Sequence, residues 1–249
     1  GKAMGIAGAG NSGTVFAALL APVLAAAYGW SNVFGLALIP LLVTLALFAW
    51  LAKNAPQRPQ AKSMADYFKA LGDRDSWWFM FFYSVTFGGF IGLASALPGY
   101  FNDQYGLSPI SAGYYTAACV FGGSLMRPLG GALADRFGGI RTLLGMYSVA
   151  VVCIAAVGFN LPSSYAALVL FVCTMLGLGA GNGAVFQLVP QRFRREIGVM
   201  TGLIGMAGGI GGFALAAGMG AIKQSTGSYQ LALWLFASLG VLAWFGLHG

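Results

Sequence analysis

Apolar residues gather into eight long runs separated by short polar connections, and this alternation dominates the chain. Each run has at least about 17 residues, the shortest length at which a helix crosses a hydrocarbon layer ~30 Å thick. A helix also satisfies its own backbone hydrogen bonds, which lipid cannot do. The pattern predicts an all-α membrane protein with about eight transmembrane helices. The runs occupy residues 3–28, 33–52, 77–101, 112–134, 142–159, 165–190, 198–222 and 230–247.

Basic residues in the connections indicate the orientation of these helices, because cytoplasmic loops carry an excess of Lys and Arg. When the connections are taken alternately, one set holds almost all of the basic residues, and the other set holds only Lys223. The first set, with the start of the first run, contains Lys2, Lys53, Arg58, Lys62, Lys69, Arg74, Arg136, Arg141, Arg192, Arg194 and Arg195. The asymmetry predicts that both ends of the chain are cytoplasmic.

Composition supports the membrane class and excludes several others. Hydrophobic residues make up 58% of the 249 residues and charged residues only 8%, whereas a soluble domain carries about 25% charged residues. The net charge of +7 comes from short loops between apolar runs, so we expect no nucleic-acid partner. Cys119, Cys153 and Cys173 lie inside apolar runs without metal-binding spacing, and His248 is the single histidine. We therefore expect no metal and no cofactor.

The longest polar connection, residues 53–76, predicts a boundary between two helical units. It contains two prolines and an amphipathic segment at 63–71. We expect residues 1–52 to form the last two spans of one bundle, 53–76 a cytoplasmic linker, and 77–249 a six-helix bundle. Because the chain starts with glycine and ends inside an apolar run, we interpret it as a fragment of a longer protein.

Arg127 is a charged residue deep inside the fourth apolar run. It precedes Asp135, in the following connection, by eight residues, which is ~12 Å along a helix and close to the middle of the hydrocarbon layer. A guanidinium keeps its proton, so a buried one needs compensation. A negatively charged substrate is our main hypothesis. The alternatives are snorkelling to the surface and backbone carbonyls, such as that of Ser124, which Pro128 leaves without its helical donor.

Two spans, the first and the seventh, are unusually rich in glycine. They lie six spans apart, which suggests a duplicated six-span unit. Glycines four residues apart share a helix face and let helices approach closely and tilt against each other. Ordinary tight packing is the alternative. The candidates for gating and helix packing are Gly8, Gly10, Gly13, Gly205, Gly208, Gly209 and Gly212.

The connection after the fourth run carries the motif Gly-Gly-Ala-Leu-Ala-Asp-Arg-Phe-Gly-Gly-Ile-Arg. This motif resembles the cytoplasmic loop signature of the major facilitator superfamily. The matching positions are Gly131, Asp135, Arg136 and Gly138. Glycines allow a tight turn, the aspartate can pair with a helix end, and the arginine stays at the lipid surface. The resemblance implies a major facilitator-type helical bundle.

Within that superfamily the chain resembles the nitrate/nitrite porters. Its glycine-rich segments are similar to the paired nitrate signatures in the family's fifth and eleventh spans, so the first four of twelve spans are absent. Asn11 matches the asparagine of the first signature, whereas Ile210 stands at the corresponding place in the second. The resemblance implies a multi-pass carrier of nitrate and nitrite in the plasma membrane, which in a bacterium is the inner membrane. It also implies that the partners are these anions and the lipid bilayer, and that the protein is a monomer.

The same resemblance suggests the residues that bind the anion. The family's substrate arginine falls on Arg127, Tyr83 and Phe87 fall in its seventh span, and Asn182 and Phe186 fall in its tenth. A flat guanidinium can donate two parallel hydrogen bonds to nitrate, and amide or phenol donors can bind the remaining oxygen. The asparagines, Asn11 included, could instead make hydrogen bonds between helices. The aromatic stripe that begins at Phe79 and includes Tyr83, Phe87 and Phe90 could instead face lipid.

Nitrate/nitrite exchange is the predicted transport mode. The apolar runs contain no Asp, Glu or His near their middle that could carry a proton. A proton-coupled nitrate symporter, or a carrier of another small monovalent anion, remains an alternative. The runs also lack a nucleophile–base pair or paired acids, so we do not expect an enzyme.

Overall fold

The computed structural model describes residues 9–53 and 63–248, and these ranges contain helices and no strand. After a 3₁₀ turn at Ala9–Ser12, the described residues form ten α-helices and one π-helical turn, Ser84–Gly88. The helices are α1 (Gly13–Tyr28), α2 (Trp30–Leu51), α3 (Met64–Leu71), α4 (Arg74–Tyr83), α5 (Gly89–Tyr105), α6 (Pro109–Phe137), α7 (Gly139–Val157), α8 (Ser164–Arg192), α9 (Ile197–Thr226) and α10 (Gln230–Gly246).

The helices follow the apolar runs. Helix α4, the π-turn and α5 form one continuous segment, so the described ranges hold one long helical segment for each of the eight runs. Six segments are long and apolar enough to cross a membrane. Helix α6 is long but carries many Gly, Ser and Tyr residues, and α10 has 17 residues. The prediction of an all-α protein is confirmed.

The polar loop expected after the fourth run is much shorter than predicted. Helix α6 continues to Phe137 and α7 begins at Gly139, so only Gly138 separates them. Gly138 has φ +91°, a left-handed conformation that a residue without Cβ adopts readily. The motif residues Asp135 and Arg136 therefore belong to the last turn of α6 rather than to a loop.

The buried core lies almost entirely within α4 to α10. Helix α1 contributes Val15 to it, and α2 has no buried residue. Helix α1 nevertheless packs on α6 with close backbone contact, because a Cβ on Gly113 would lie 2.5 Å from the carbonyl oxygen of Ala18. Whether the chain divides into the two units expected from the 53–76 connection stays a prediction.

Helices α6 and α8 cross with their backbones in direct contact, and this crossing positions the middle of both. A Cβ on Gly123 would lie 2.6 Å from the carbonyl oxygen of Met175, and one on Gly183 would lie 2.5 Å from the amide nitrogen of Gly131. Small residues are what allow such an approach. The crossing brings residues 123–131 of α6 beside residues 175–183 of α8.

At one end of the bundle, an ion-pair cluster joins α8 to the start of α4. The Arg192 side chain donates to Asp73 at 2.8 Å and to Asp75 at 2.5 Å. These side chains are well exposed, so each pair contributes at most about 1 kcal/mol.

The preceding helix, α3, is capped by Ser63, whose backbone N–H donates to the carboxylate of Asp66 at 2.8 Å.

Candidate functional site

Arg127 lies inside the bundle and is only 4% exposed. It stands ten residues before α6 ends at Phe137, which corresponds to about 15 Å of helix. A side chain at this depth is not one that reaches the headgroup region by snorkelling. The carbonyl oxygen of Arg127 also faces Gly183 of α8, so the helix crossing holds its backbone in place.

The guanidinium of Arg127 is surrounded by aromatic groups. Its Nη2 donates a long hydrogen bond to the hydroxyl of Tyr83, at 3.4 Å. Its central carbon lies 5.0 Å from the ring centroid of Phe87 and 5.9 Å from that of Phe90. Ring faces attract cations, so these aromatics stabilise the charge while leaving its edge for hydrogen bonds.

The predicted aromatic residues come together around this charge. Tyr83 and Phe87 stack with centroids 5.0 Å apart and ring planes 13° from parallel. Phe186 of α8 stands edge-on to Tyr83, with centroids 4.8 Å apart. The structure thus assembles Tyr83, Phe87, Phe186 and Arg127 from three separate segments. The alternative in which the stripe faces lipid is wrong for Tyr83 and Phe90, which are 4% and 0% exposed.

The π-turn at Ser84–Gly88 connects Tyr83 to Phe87 and shapes this cluster. The carbonyl of Phe82, just before the turn, accepts hydrogen bonds from the hydroxyls of Tyr147 at 2.9 Å and Thr86 at 3.1 Å. Single π-turns inside helices occur frequently at functional sites. Sequence reasoning missed this feature, and the adjacent glycines Gly88 and Gly89 were its only visible signal.

Asn182 and Asn11 contain buried amide atoms without hydrogen-bond partners in the described part of the chain. Asn182 is 1% exposed, and neither its Nδ2 nor its Oδ1 has a partner. The Nδ2 of Asn11 is also buried and unpartnered. The alternative of an interhelical hydrogen bond therefore does not describe Asn182. Leaving such groups unsatisfied costs about 1–3 kcal/mol each, so a ligand that binds them would be stabilised.

The glycine candidates fall into two groups. A Cβ on Gly208 of α9 would lie 2.7 Å from the Tyr83 ring and 2.8 Å from the Phe87 ring, and one on Gly212 would lie 3.2 Å from Ile91. The other candidates show no atom within 4 Å of a Cβ position among the described residues, and their packing role stays a prediction. They are Gly10, Gly13, Gly205 and Gly209. Gly8 lies outside the described residues.

The loop-motif residues lie apart from Arg127, at the end of α6. Gly131 contributes to the contact with α8. Asp135, Arg136 and Gly138 are exposed, and the Arg136 guanidinium lies 5.1 Å from the Phe137 ring centroid.

Acidic residues lie at helix ends and in connections. Asp66 and Asp75 belong to the first turns of α3 and α4, and Asp103 and Asp135 to the last turns of α5 and α6. Asp103 accepts a hydrogen bond from the hydroxyl of Tyr229 at 2.8 Å. Burial, together with this hydrogen bond, raises the pKa of Tyr229 to about 12.

Comparison with known proteins decides the family. Residues 1–216 match the sequence profile of the Major Facilitator Superfamily. This chain belongs to that superfamily. Superfamily membership, together with the long apolar helices, makes it a multi-pass membrane protein.

The relatives within the superfamily include three proteins whose names describe transport of nitrate or nitrite. The nitrite extrusion protein of Bacillus subtilis is 34% identical over 236 residues, 93% of this chain and 58% of that protein. A probable nitrate transporter of Staphylococcus haemolyticus is 32% identical over 98% of this chain and 63% of its own length. A probable nitrate/nitrite antiporter of Thermus thermophilus is 29% identical over 100% of this chain and 63% of its own length. The chain thus spans about three fifths of these relatives.

A solved structure shows the same superfamily fold. The fucose:proton symporter of Escherichia coli aligns with a TM-score of 0.67 over 90% of this chain and 57% of the symporter. The two sequences are 17% identical, so the likeness concerns the fold alone. The prediction of a major facilitator-type bundle is confirmed.

Proposed function

We propose that this protein is a secondary transporter that moves nitrate and nitrite across the membrane by alternating access, exchanging one anion for the other. The observation that carries the proposal is Arg127, a guanidinium that is 4% exposed and has aromatic rings around it. The names of the relatives agree with this cargo. Because the chain spans about three fifths of those relatives, the proposal concerns the complete protein.

The chemistry of the cluster suits a small flat anion. The Arg127 guanidinium can donate two parallel hydrogen bonds to two oxygens of one planar anion. The amides of Asn11 and Asn182 supply buried polar groups without other partners in the described ranges. The rings of Tyr83 and Phe87 restrict the space and exclude water, which strengthens the charge interaction. A tetrahedral anion such as sulfate has the wrong shape and too much charge for this arrangement.

The distribution of charge favours exchange over symport. The anion balances the positive charge of Arg127 while the site changes its exposure, which disfavours a return without cargo. The acidic residues of the chain lie at helix ends or in connections, and its single histidine is His248. In the residues that the structure describes, no carboxylate or imidazole lies in the middle of a helix, where it could carry a proton.

The proposed arrangement places the anion between two bundles. Residues 1–52 would end the first bundle, 53–76 would form the cytoplasmic linker, and 77–249 would form the second bundle, with both chain ends cytoplasmic. The contact of α1 with α6 at Gly113 supports a site at this junction, because α6 also carries Arg127. Motion at the junction would expose the site alternately to the two sides.

Uptake into proteoliposomes tests the exchange. Vesicles that contain the complete protein and internal nitrite should take up labelled nitrate, and empty vesicles should take up almost none. Collapse of the pH gradient should leave the rate unchanged. Uptake into empty vesicles driven by an imposed pH gradient would instead establish symport. Competition by formate or lactate as strong as that by nitrate would indicate another monovalent anion as cargo.

A further inference from the structure

The buried serine and threonine side chains in the described ranges, with one exception, donate their hydroxyl to a backbone carbonyl. The distances from hydroxyl to carbonyl oxygen are between 2.6 and 3.1 Å. Ser76, Thr86, Thr116, Thr142 and Thr174 follow this rule. Ser124 does not: it is 1% exposed, and its Oγ is buried with no hydrogen-bond partner. A hydroxyl that makes no hydrogen bond to a carbonyl of its own helix can donate to another acceptor.

Ser124 lies on the same face of α6 as Arg127. The two residues are three positions apart, so their side chains are neighbours on the helix surface. Ala117 is seven residues before Ser124, two full turns, and therefore also shares this side of the helix. With Phe121, Ser12 and other residues, Ala117 lines a cavity of about 390 Å³ between α1 and α6. Ser124 thus faces the junction of α6 with the first span.

The direction of α1 brings Asn11 toward the same place. Gly113 of α6 contacts Ala18, whereas Ala117 lines the cavity together with Ser12. The two helices are therefore antiparallel, and Asn11 follows Ser12 along α6 in the direction of Ser124. Both residues carry a buried polar atom without a partner in the described ranges.

Three side chains with an unpartnered buried polar atom consequently come from α6, which carries Arg127, and from two elements that contact α6. Asn11 belongs to the 3₁₀ turn before α1, Ser124 to α6, and Asn182 to α8. Asn182 is held near Arg127 because its neighbour, Gly183, touches the Arg127 carbonyl. Buried polar groups in proteins are almost always hydrogen-bonded, so exceptions such as these point to a ligand or water that binds them.

We propose that the Ser124 hydroxyl donates a hydrogen bond to the third oxygen of nitrate and so discriminates nitrate from nitrite. This inference rests on the proposed transport of these anions. The planar guanidinium of Arg127 binds two oxygens side by side. Nitrite has only these two oxygens. Nitrate presents one more oxygen beyond the fork. A neutral hydroxyl one turn away on the same helix face supplies its donor without adding charge.

The test compares the two anions in one variant. Ser124→Ala removes only the hydroxyl, so the complete protein should fold and insert normally. In proteoliposomes we expect the KM for nitrate to rise roughly tenfold, as for the loss of one hydrogen bond to a charged ligand. The KM for nitrite and both kcat values should change by less than about twofold. Ser124→Cys, which keeps the volume but donates poorly, should behave in the same way.

Thr116→Val is the matched control. Thr116 is buried in the same helix, but its hydroxyl already donates to the carbonyl of Ala112 at 2.8 Å. Its replacement should leave the ratio of the two KM values unchanged. If Ser124→Ala shifts both KM values equally, or neither, while the wild type transports both anions, the role of Ser124 is wrong and the proposed function stands. If the wild type transports neither anion, the proposed function itself fails, and this inference with it.

Discussion

At the scale of single residues, the planar shape of Arg127 matters as much as its charge. Two phenylalanine rings lie within 6 Å of the guanidinium carbon, and the Tyr83 hydroxyl accepts from Nη2. A guanidinium can contact ring faces and still donate along its edge, whereas an ammonium is a compact point charge. The environment of Arg127 is therefore one that a lysine cannot use in the same way.

Arg127→Lys should nearly abolish transport without preventing membrane insertion. The substitution keeps the charge but loses the two parallel hydrogen bonds, and we expect a fall of roughly 100-fold or more in kcat/KM. Nitrate uptake is measured against the amount of protein in the membrane. Arg136→Lys, in the exposed last turn of α6, is the control and should retain near-normal uptake. Full activity of the Arg127→Lys protein would show that Arg127 does not bind the anion.

At the scale of elements, close contact between backbones determines where the aromatic side chains stand. The π-turn and α9 approach each other so closely that a Cβ on Gly88 would lie 2.8 Å from the backbone of Gly211. Helix α9 also presses on the Tyr83 and Phe87 rings through Gly208. The glycines therefore position the rings of the site as well as packing the helices.

Gly208→Ala should disturb the site because its new methyl group would overlap the Tyr83 and Phe87 rings. Overpacking of this kind typically costs about 1–3 kcal/mol, and displacement of the rings should also raise the KM for nitrate. Thermal unfolding in detergent and uptake in vesicles measure the two effects. Gly205→Ala is the matched control, because no described atom lies within 4 Å of its Cβ position. Equal behaviour of the two variants would contradict the packing role of Gly208.

At the scale of the whole molecule, the two ends of the bundle differ in charge. Basic residues concentrate in alternate connections, and the connection between α8 and α9 holds Arg194 and Arg195. The connection between α9 and α10 lies at the opposite end of α9. The positive-inside rule predicts that the first connection lies in the cytoplasm and the second outside.

Labelling of introduced cysteines tests this orientation. A membrane-impermeant maleimide added to intact cells should label Ser225→Cys, which is exposed near the end of α9. Arg194→Cys, exposed at the other end, should react only after the membrane is opened. The unaltered protein gives the background from Cys119, Cys153 and Cys173. The reverse labelling pattern would show that the chain has the opposite orientation in the membrane.

The outline of the candidate site was predictable, but its details were not. Depth in an apolar run singles out Arg127, and spacing by four places Tyr83 beside Phe87. The same periodicity could not reveal the π-turn between them, because a π-turn adds a residue that no regular repeat contains. Nor could it show that Ser124, three residues before Arg127, leaves its hydroxyl without a partner, since most helical serines bond their own backbone.

The amino-acid sequence by itself determined the helical class, the number of apolar spans and the superfamily. It could do so because lipid requires long apolar helices with internally satisfied backbones, and because the glycine-rich motif after the fourth apolar run resembles the loop signature of the superfamily. Only the tertiary structure decided which side chains meet around Arg127. That outcome depends on how closely α6, α8 and α9 approach one another, and contacts between distant segments leave no periodic signal along the chain.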